Sequence, residues 1–393
     1  MDDSPAGPLP IDWPGRADEA ARAVTSLFGQ RLLFLPGTHL GAVVQPSGGL
    51  SSLFRPWHYW WQAHYVDCLV DAGNRELAKG ATPASRFAGP GSPSAGRLAS
   101  QLVNGIRLRN FLTYVNSYYD DMAWLALATL RLEKLAEETR KRGRRRNARL
   151  RRTLARQFDS ASTDHLGGGT FWSKKRDFKN TPATAPVALF YARTGEPAKA
   201  RALLDWLDAR LFDPSQGLYL DGLRLTGSGE FLLENAIYSY NQGPVLGALL
   251  ELGGEASLAR AATLVEAIAR NLTAQAANQI LHCHGTGDGG LFTGILCRYL
   301  ALAAADARLP DRVRGTAAGL VMGTADAFWS GRREVSPAEP LSRHGGKLLF
   351  SSLPQEPANA TYPAGAAVEL STQLQAWMAL EAAAAVQQWG KTN

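Results

Sequence analysis

The chain has 393 residues, of which 45% are hydrophobic and 20% are charged, a balance that excludes a largely disordered protein. Its net charge is +7, but ten Lys or Arg residues and no acid lie between Arg140 and Arg156. Outside that run, 32 basic residues nearly balance 35 acidic ones, so the rest of the chain is nearly neutral.

Helical periodicity dominates the chain from end to end. The clearest apolar patterns predict nine helices, at Trp57–Ala78, Leu98–Leu112, Asp121–Arg142, Thr184–Thr194, Pro197–Leu211, Leu233–Leu250, Ala256–Asn271, Gly290–Asp306 and Ala366–Val386. Weaker patterns predict three more, at Asp18–Phe28, Asn147–Phe158 and Val313–Phe328. Strand-like stretches such as Arg31–Leu35 and Lys347–Ser351 are few and isolated.

About twelve amphipathic helices, joined alternately by short and by long glycine-rich connections, predict an all-α fold. We expect an (α/α)6 toroid, a closed barrel of helical hairpins with loops at one end forming a cleft. An open solenoid is the alternative, but it would show a fixed repeat period, and the sequence has none. The predicted organisation is a flexible segment at residues 1–15 followed by one domain at 16–393.

The amino terminus, MDDSPAGPLPIDWPG, is acidic and proline-rich and lacks the features of a secretory signal. No apolar stretch is long and uncharged enough to span a membrane. The three cysteines, Cys68, Cys283 and Cys297, form no close pair that would indicate a disulfide framework. We therefore expect a cytoplasmic protein with reduced thiols.

The basic run at Arg140–Arg156 has two interpretations. It could bind an anionic membrane surface or nucleic acid. Alternatively it is a solvated helix whose Leu150 and Leu154 face inward at i and i+4. The run contains no aromatic residue on which a base could stack, so no specific nucleic-acid binding is expected.

Asp120 and Asp121 lie side by side at the start of a predicted helix, in the sequence SYYDDMAW. Helix capping explains such acids in many proteins, because carboxylates are favoured at the positive end of the helix dipole. Adjacent carboxyls can also lie near the separation of roughly 5 Å that retaining glycosidases use. The neighbouring rings of Tyr119 and Trp124 would lower the local dielectric, so that one acid holds a proton while the other is ionised.

Three loops combine glycines, aromatic rings and amide or carboxylate groups, as carbohydrate sites do. They are GGGTFWS (167–173), YSYNQGP (238–244) and GTGDGGLF (285–292). The last contains G-x-G-x-x-G, but no βαβ unit surrounds it, so a dinucleotide site is not expected. The H-x-H pair of His282 and His284 has too few neighbouring ligands to predict a metal site. Trp60, Trp61 and Gln62 either belong to the core or line the mouth of the toroid.

Together these motifs resemble glycoside hydrolase family 76, the endo-acting α-1,6-mannanases. The resemblance is carried by YYDDMAW at 118–124, WWQA at 60–63, GGGTFW at 167–172, YNQG at 240–243 and GDGGLFTGILCRYL at 287–300. It implies an (α/α)6 toroid and retaining hydrolysis of α-mannan or mannooligosaccharides, with no metal and no cofactor. By position, Asp120 would be the nucleophile and Asp121 the general acid and base.

Besides Asp120 and Asp121, we expect nine residues to contact the substrate, namely Tyr119, Trp60, Trp61, Trp172, Tyr240, Asn241, Gln242, Asp288 and Phe292. The basic run adds the hypothesis of a mannan attached to an anionic lipid, and the alanine- and arginine-rich composition is compatible with an actinobacterial origin. The alternatives are a toroid enzyme acting on another glycan or from a chain end, and a non-catalytic glycan-binding protein.

Overall fold

A computed structural model of the chain describes residues 11–47, 56–80, 93–139, 144–227, 230–274, 279–344 and 347–390. These residues form thirteen α-helices: α1 Trp13–Phe28, α2 Tyr59–Ala78, α3 Ala95–Arg109, α4 Tyr119–Glu138, α5 Arg144–Ala161, α6 Thr181–Arg193, α7 Pro197–Leu211, α8 Ser239–Leu252, α9 Glu255–Asn271, α10 Phe292–Ala305, α11 Asp311–Ser330, α12 Ala358–Thr361 and α13 Leu370–Trp389. Each of the twelve predicted helical segments overlaps one of them, and only the single turn of α12 was not predicted.

The helices close into a double ring. In the inner ring α2, α4, α6, α8, α10 and α13 pack each against the next, and α13 packs back against α2. In the outer ring α1, α3, α5, α7, α9 and α11 cover them. The inner helices are apolar on almost every face because they are covered on both sides, whereas α1, α3 and α9 bury a single stripe. The predicted (α/α)6 toroid is thereby confirmed, and the solenoid is excluded by the α13–α2 contact.

Short strands lie in the connections between the helices. Those in the described residues are β1 Gly29–Gln30, β2 Leu40–Gly41, β3 Val44–Gln45, β4 Phe178–Asn180, β5 Phe212–Asp213, β6 Leu218–Tyr219, β7 Gly222–Leu225, β8 Phe231–Glu234, β9 Arg333–Glu334, β10 Leu348–Leu349 and β11 Val368–Glu369. All pairings are antiparallel: β4–β7–β8 form a three-stranded sheet, with Lys179 opposite Leu223, and the others form pairs β1–β2, β3–β11, β5–β6 and β9–β10.

Two local expectations need correction. The segment 233–250 begins as strand β8, because Leu233 pairs with Leu223 of β7, and the helix starts only at Ser239. The strand-like stretch Arg31–Leu35 forms a 3-10 turn, because Leu33 has a φ of 47°, which no strand accommodates. Helix α1 begins at Trp13, and the Asp12 carboxylate caps it by accepting from the Gly15 N–H at 3.0 Å. The predicted division of the chain at residue 15 stays a prediction. Residues 1–10 lie outside the described residues.

Three inner helices carry a glutamine that clamps the backbone of the strand or loop beside it. Gln242 of α8 accepts from the Tyr219 N–H and donates to its carbonyl, both at 2.9 Å. Gln62 of α2 holds Gly41, and Gln373 of α13 holds Phe350, in the same two-way manner. All three side chains are 0–1% exposed, so they satisfy backbone groups that water cannot reach.

The basic run lies partly on α5, and its residues 140–143 lie outside the described residues. Leu150 and Leu154 are buried, as the solvated-helix interpretation predicted, and Arg146, Arg149, Arg152 and Arg156 are exposed. Within the described part of the chain, no helix combines the length and the apolar character needed to cross a bilayer.

Candidate active site

The six inner helices of such a ring run in the same direction, so their amino termini meet at one end of the barrel. The first turn of α4 presents Asp120 and Asp121 there, α8 presents Tyr240 and α10 begins with Phe292. A 3-10 turn at Gly287–Leu291 brings Asp288 to the same place. The predicted motifs, which are far apart in sequence, therefore surround one cleft.

Asn116 organises the entry into α4. Its side-chain oxygen accepts from the backbone N–H groups of Ser117 and Tyr118, and its amide donates to Oδ2 of Asp121 at 2.5 Å. The Tyr119 N–H is bound by the Trp172 carbonyl at 2.8 Å. These bonds fix the backbone just before the aspartates and hold one of the two carboxyl groups.

Asp120 is held by one oxygen and free at the other. The indole N–H of Trp172 donates to its Oδ2 at 2.9 Å, while Oδ1 is buried with no hydrogen-bond partner among the described residues. Burial raises the pKa of Asp120 to about 7, and the bond from Trp172 opposes that rise because it stabilises the charged form. One oxygen of a carboxylate that ionises near neutrality is thus left for a ligand.

Asp121 has the stronger tendency to hold a proton. Burial raises the pKa of its carboxyl well above the ordinary value, and the negative charges of Asp120 and Asp288 raise it further. The amide of Asn116 acts in the opposite direction. The environment therefore separates the pair into one acid that ionises first and one that remains protonated.

Aromatic rings form the wall opposite the pair. Tyr240 stacks on Phe292 with ring centroids 3.9 Å apart and planes 17° apart, and Trp60 lies 6.2 Å from Tyr240. Trp60 and Tyr240 are half-buried, so part of each ring faces the cleft. Burial and the charges of Asp221, Asp120 and Asp288 raise the pKa of Tyr240, which keeps its hydroxyl as a hydrogen-bond donor.

Asp288 is anchored by two indoles. Its Oδ1 accepts from Nε1 of Trp60 at 3.0 Å and from Nε1 of Trp61 at 2.8 Å, and His58 Nδ1 lies 3.8 Å away. The carboxylate remains exposed, so its other oxygen is available to a sugar hydroxyl. This joins the predicted tryptophan pair on α2 to the predicted GDGG turn.

Four of the predicted substrate-binding residues lie beneath the cleft surface. Tyr119 and Trp61 are 3% and 2% exposed, and Asn241 and Gln242 are fully buried. The amide of Gln242 is consumed by the backbone of Tyr219 and Tyr238, and that of Asn241 points to Asp221 at 3.5 Å. In this structure these residues support the site from beneath, and their direct contact with a substrate stays a prediction. Trp60, Trp172, Tyr240 and Asp288 keep accessible surface, and Phe292 lies at its edge with 8% exposed.

Three residues of the site were not predicted from the sequence: Asn116, His58 and Asp221. Asn116 is recognisable only as a possible cap four residues before the aspartates. Asp221 precedes β7, and its pKa is raised to about 6 by burial, so it adds a further titratable carboxyl beside Tyr240. No motif marks Asp221, because its position depends on the β4–β7 pairing.

A buried lysine holds the glycine-rich loop that carries Trp172. Nζ of Lys179, on a residue with no exposed surface, lies 2.6 to 3.0 Å from four backbone carbonyl oxygens, those of Thr163, His165, Gly168 and Gly169. Its three N–H donors are shared among these four acceptors. Burial lowers the pKa of Lys179 to about 8, so the amine still carries its charge at neutral pH. Gly169 has a φ of 73°, and a Cβ there would lie 2.6 Å from the Trp206 ring. Both the backbone conformation and the close packing on Trp206 therefore require glycine at this position.

Within the described residues, no group of three or more His, Cys, Asp or Glu side chains is arranged to hold a metal ion. The three cysteines are free and buried. His284 packs on Tyr238 and Phe292, and burial lowers its pKa to about 4, so it is a neutral wall residue of the cleft.

A helical toroid with paired acids and aromatic walls at one end of the barrel is typical of carbohydrate-active proteins. The chain belongs to glycosyl hydrolase family 76, whose family model matches residues 20–336. Among curated proteins, none matches this chain.

Several solved structures resemble the chain over nearly its whole length. An α-1,6-mannanase from Salegentibacter sp. HEL1_6 is 25% identical, covering 95% of this chain and 100% of that one, with a TM-score of 0.76. An inactive variant of that enzyme, altered at two aspartates, was solved with α-1,6-mannotetrose at the same identity and TM-score, covering 96% and 100%. The Lin0763 protein of Listeria innocua shares the fold at 23% identity, covering 96% and 98%, with a TM-score of 0.74.

Proposed function

We propose that the protein is a retaining endo-hydrolase of α-1,6-linked mannan in which Asp120 is the nucleophile and Asp121 the acid and base. The observation that carries the proposal is the unequal setting of the adjacent acids. Asp120 has a free buried oxygen and an indole donor on the other, whereas Asp121 lies where neighbouring charges favour its protonated form.

In the first step, Oδ1 of Asp120 attacks the anomeric carbon and forms a mannosyl ester, while the bond from that carbon to the glycosidic oxygen breaks. Asp121 gives its proton to the departing oxygen and becomes a carboxylate. The indole of Trp172 holds the nucleophile in position through Oδ2.

In the second step, Asp121 takes a proton from water as the water oxygen attacks the same carbon, and Asp120 leaves as a carboxylate. Two inversions restore the α configuration. Asn116, which donates to Asp121, stabilises the carboxylate form between the two steps.

The substrate class is supported by the relatives. The Salegentibacter enzyme is named an α-1,6-mannanase, and its inactive variants bind α-1,6-mannotriose and α-1,6-mannotetrose. In this chain, the ring faces of Trp60 and Tyr240 and the carboxylates of Asp288 and Asp221 supply the stacking and hydroxyl contacts that such a chain of sugars needs.

The test is hydrolysis of linear α-1,6-mannooligosaccharides with the first product followed by NMR. Early α product supports retention, and early β product overturns the covalent mechanism. If the oligosaccharide is not hydrolysed but binds the native protein and Asp120→Asn equally well, the result would indicate a non-catalytic glycan-binding protein. Release of single mannose units from one end only would indicate an exo-acting enzyme.

Azide distinguishes the two aspartates. With an activated α-mannosyl fluoride, Asp121→Ala still forms the ester, which azide intercepts to give the α-azide. Asp120→Ala cannot form it, so azide attacks directly and gives the β-azide. The reverse pairing of variants and products would exchange the proposed roles, and Asp205→Ala on α7, an exposed acid, serves as the control.

A further inference from the structure

Two surface loops expose large apolar side chains at their tips. In the loop after α1, Phe34 is 90% exposed and Leu33 58%; in the loop after α3, Phe111 is 89% exposed and Leu112 63%. All four residues have left-handed backbone, with φ between 47° and 64°. This conformation is unfavourable for bulky residues, and side-chain packing does not offset its free-energy cost here because the side chains point to solvent. We call these four residues the apolar tips.

The two loops lie on the same outer side of α3. The Asn104 amide donates to the Gly37 carbonyl at 3.1 Å, and the His39 N–H donates to the Gln101 carbonyl at 3.2 Å. Three residues beyond Asn104, Nε of Arg107 donates to the Leu112 carbonyl at 3.0 Å. Residues within two turns of α3 therefore anchor both of the loops that carry the apolar tips.

Positive charge surrounds the apolar tips. No Asp or Glu occurs in residues 29–58, 77–119 or 139–158, the segments that contain the two loops, α3 and most of α5. Arg31, Arg97 and Arg107 are exposed on the loop and on α3. Arg146 of α5 is also exposed and donates to the Ser100 carbonyl of α3 at 2.9 Å, which joins the basic helix to the same face.

We propose that this face binds the surface of an anionic lipid bilayer. Exposed Phe and Leu side chains enter the boundary between head groups and acyl chains, and arginines around them pair with lipid phosphates. Contact of this kind is peripheral and needs no spanning helix. It assigns a role to the strained apolar tips, which the solvated-helix interpretation of the basic run leaves unexplained.

This face lies at the same end of the barrel as the cleft, and its role relative to the cleft rests on the proposed function. The loop with Phe111 leads directly into α4, whose first turn carries Asp120 and Asp121. The apolar tips thus lie at the cleft end of the barrel, and a bound protein would hold the cleft beside glycans that are anchored in the same bilayer.

The experiment is co-sedimentation of the full chain with vesicles of phosphatidylcholine alone and with added phosphatidylglycerol. We expect binding to the anionic vesicles only, weakening as salt is raised. Phe34→Ser with Phe111→Ser should abolish binding. Arg107→Gln and Arg146→Gln should each weaken it about fivefold, as expected for one arginine near an anionic surface.

Matched controls are Phe231→Ser, an exposed ring on β8, and Arg201→Gln, an exposed arginine on α7. Every variant should keep the thermal midpoint and the native hydrolysis of short soluble oligosaccharides, so failure of the proposed function would be visible separately. Absence of binding to anionic vesicles, or equal loss in tip variants and controls, would overturn the proposal. Binding of heparin or an acidic peptide in preference to vesicles would also overturn it, in favour of a macromolecular polyanion.

Discussion

The indole N–H of Trp172 donates a 2.9 Å hydrogen bond to Oδ2 of Asp120, across 52 residues of sequence. A donor to a carboxylate stabilises its charged form, so this bond restrains a pKa that burial has raised to about 7. Hydrogen bonds to charged groups contribute about 1.5–3 kcal/mol, and 1.36 kcal/mol corresponds to one pKa unit. Under the proposed mechanism, this bond is expected to set the acidic limb of the activity profile.

Trp172→Phe should move that limb to higher pH by about one unit, because Asp120 then ionises less readily. The reaction rate at neutral pH falls, while the alkaline limb, which reports loss of the Asp121 proton, stays near its place. The measurement is the pH dependence of kcat/KM. Tyr118→Phe, which alters a ring packed on Trp172 at 4.8 Å but no bond to Asp120, should leave the profile unchanged. Equal shifts in both variants would contradict the assignment.

The aspartate pair should reduce stability at neutral pH. Both folded pKa values are raised, so between the ordinary value of 3.8 and about 7 the native state binds more protons than the unfolded chain. Stability from these groups is fully present below the ordinary value and is lost as the pH rises toward the folded pKa. Asp120→Asn should therefore raise the free energy of unfolding near pH 7 by about 1–3 kcal/mol and have little effect near pH 4.

Thermal unfolding at both pH values measures this effect. Asp205→Asn, on the exposed face of α7, should change neither midpoint. A variant Asp120→Asn that is less stable than the native protein near neutrality would show that the carboxylate is satisfied in the fold.

The hydrogen bonds between Gln242 and the backbone of Tyr219 should contribute strongly to the stability of the fold. Gln242→Leu leaves the Tyr219 N–H and carbonyl buried without partners, at about 1–3 kcal/mol for each group. We expect a large fall in the urea midpoint, whereas Gln157→Leu on the half-buried side of α5 should change it little. Full stability of Gln242→Leu together with lost mannooligosaccharide affinity would contradict this role and would support the predicted direct contact of Gln242 with the substrate.

Lys179 should act on catalysis through the loop it holds. Lys179→Ala empties a cage of four carbonyl oxygens, loosens residues 163–169 and thereby displaces Trp172 from Asp120. Activity should fall at least tenfold, roughly the effect of one misplaced positioning bond. Added methylammonium or ethylammonium should restore part of it, because the cage recognises an ammonium group.

Lys174→Ala, at an exposed lysine in the same segment, is the control and should neither lose activity nor respond to amines. The readout includes the acidic limb of the pH profile, which should move as in Trp172→Phe. If activity is lost while the acidic limb of the pH profile stays in place and amines restore nothing, Lys179 stabilises the fold in general and does not position Trp172.

Much of the architecture could be predicted from local patterns. Apolar residues at helical spacing predict twelve of the thirteen described helices, because an amphipathic or fully apolar period directly reflects which faces are covered. The start of α8 and the Arg31–Leu35 stretch could not be predicted in this way, because a strand pairing and a left-handed backbone decided them.

The sequence by itself determined the helical class, the adjacent aspartates at a helix start and the aromatic glycine loops, since each is a property of neighbouring residues. Only the tertiary structure decided which side chains face the cleft. Gln242 and Trp61 stand in motifs as prominent as Trp60, yet they are buried, because ring closure turns one face of each inner helix toward its neighbours. The unequal acidity of Asp120 and Asp121 likewise arises from Trp172, Asn116 and Asp288, groups that only the folded chain brings together.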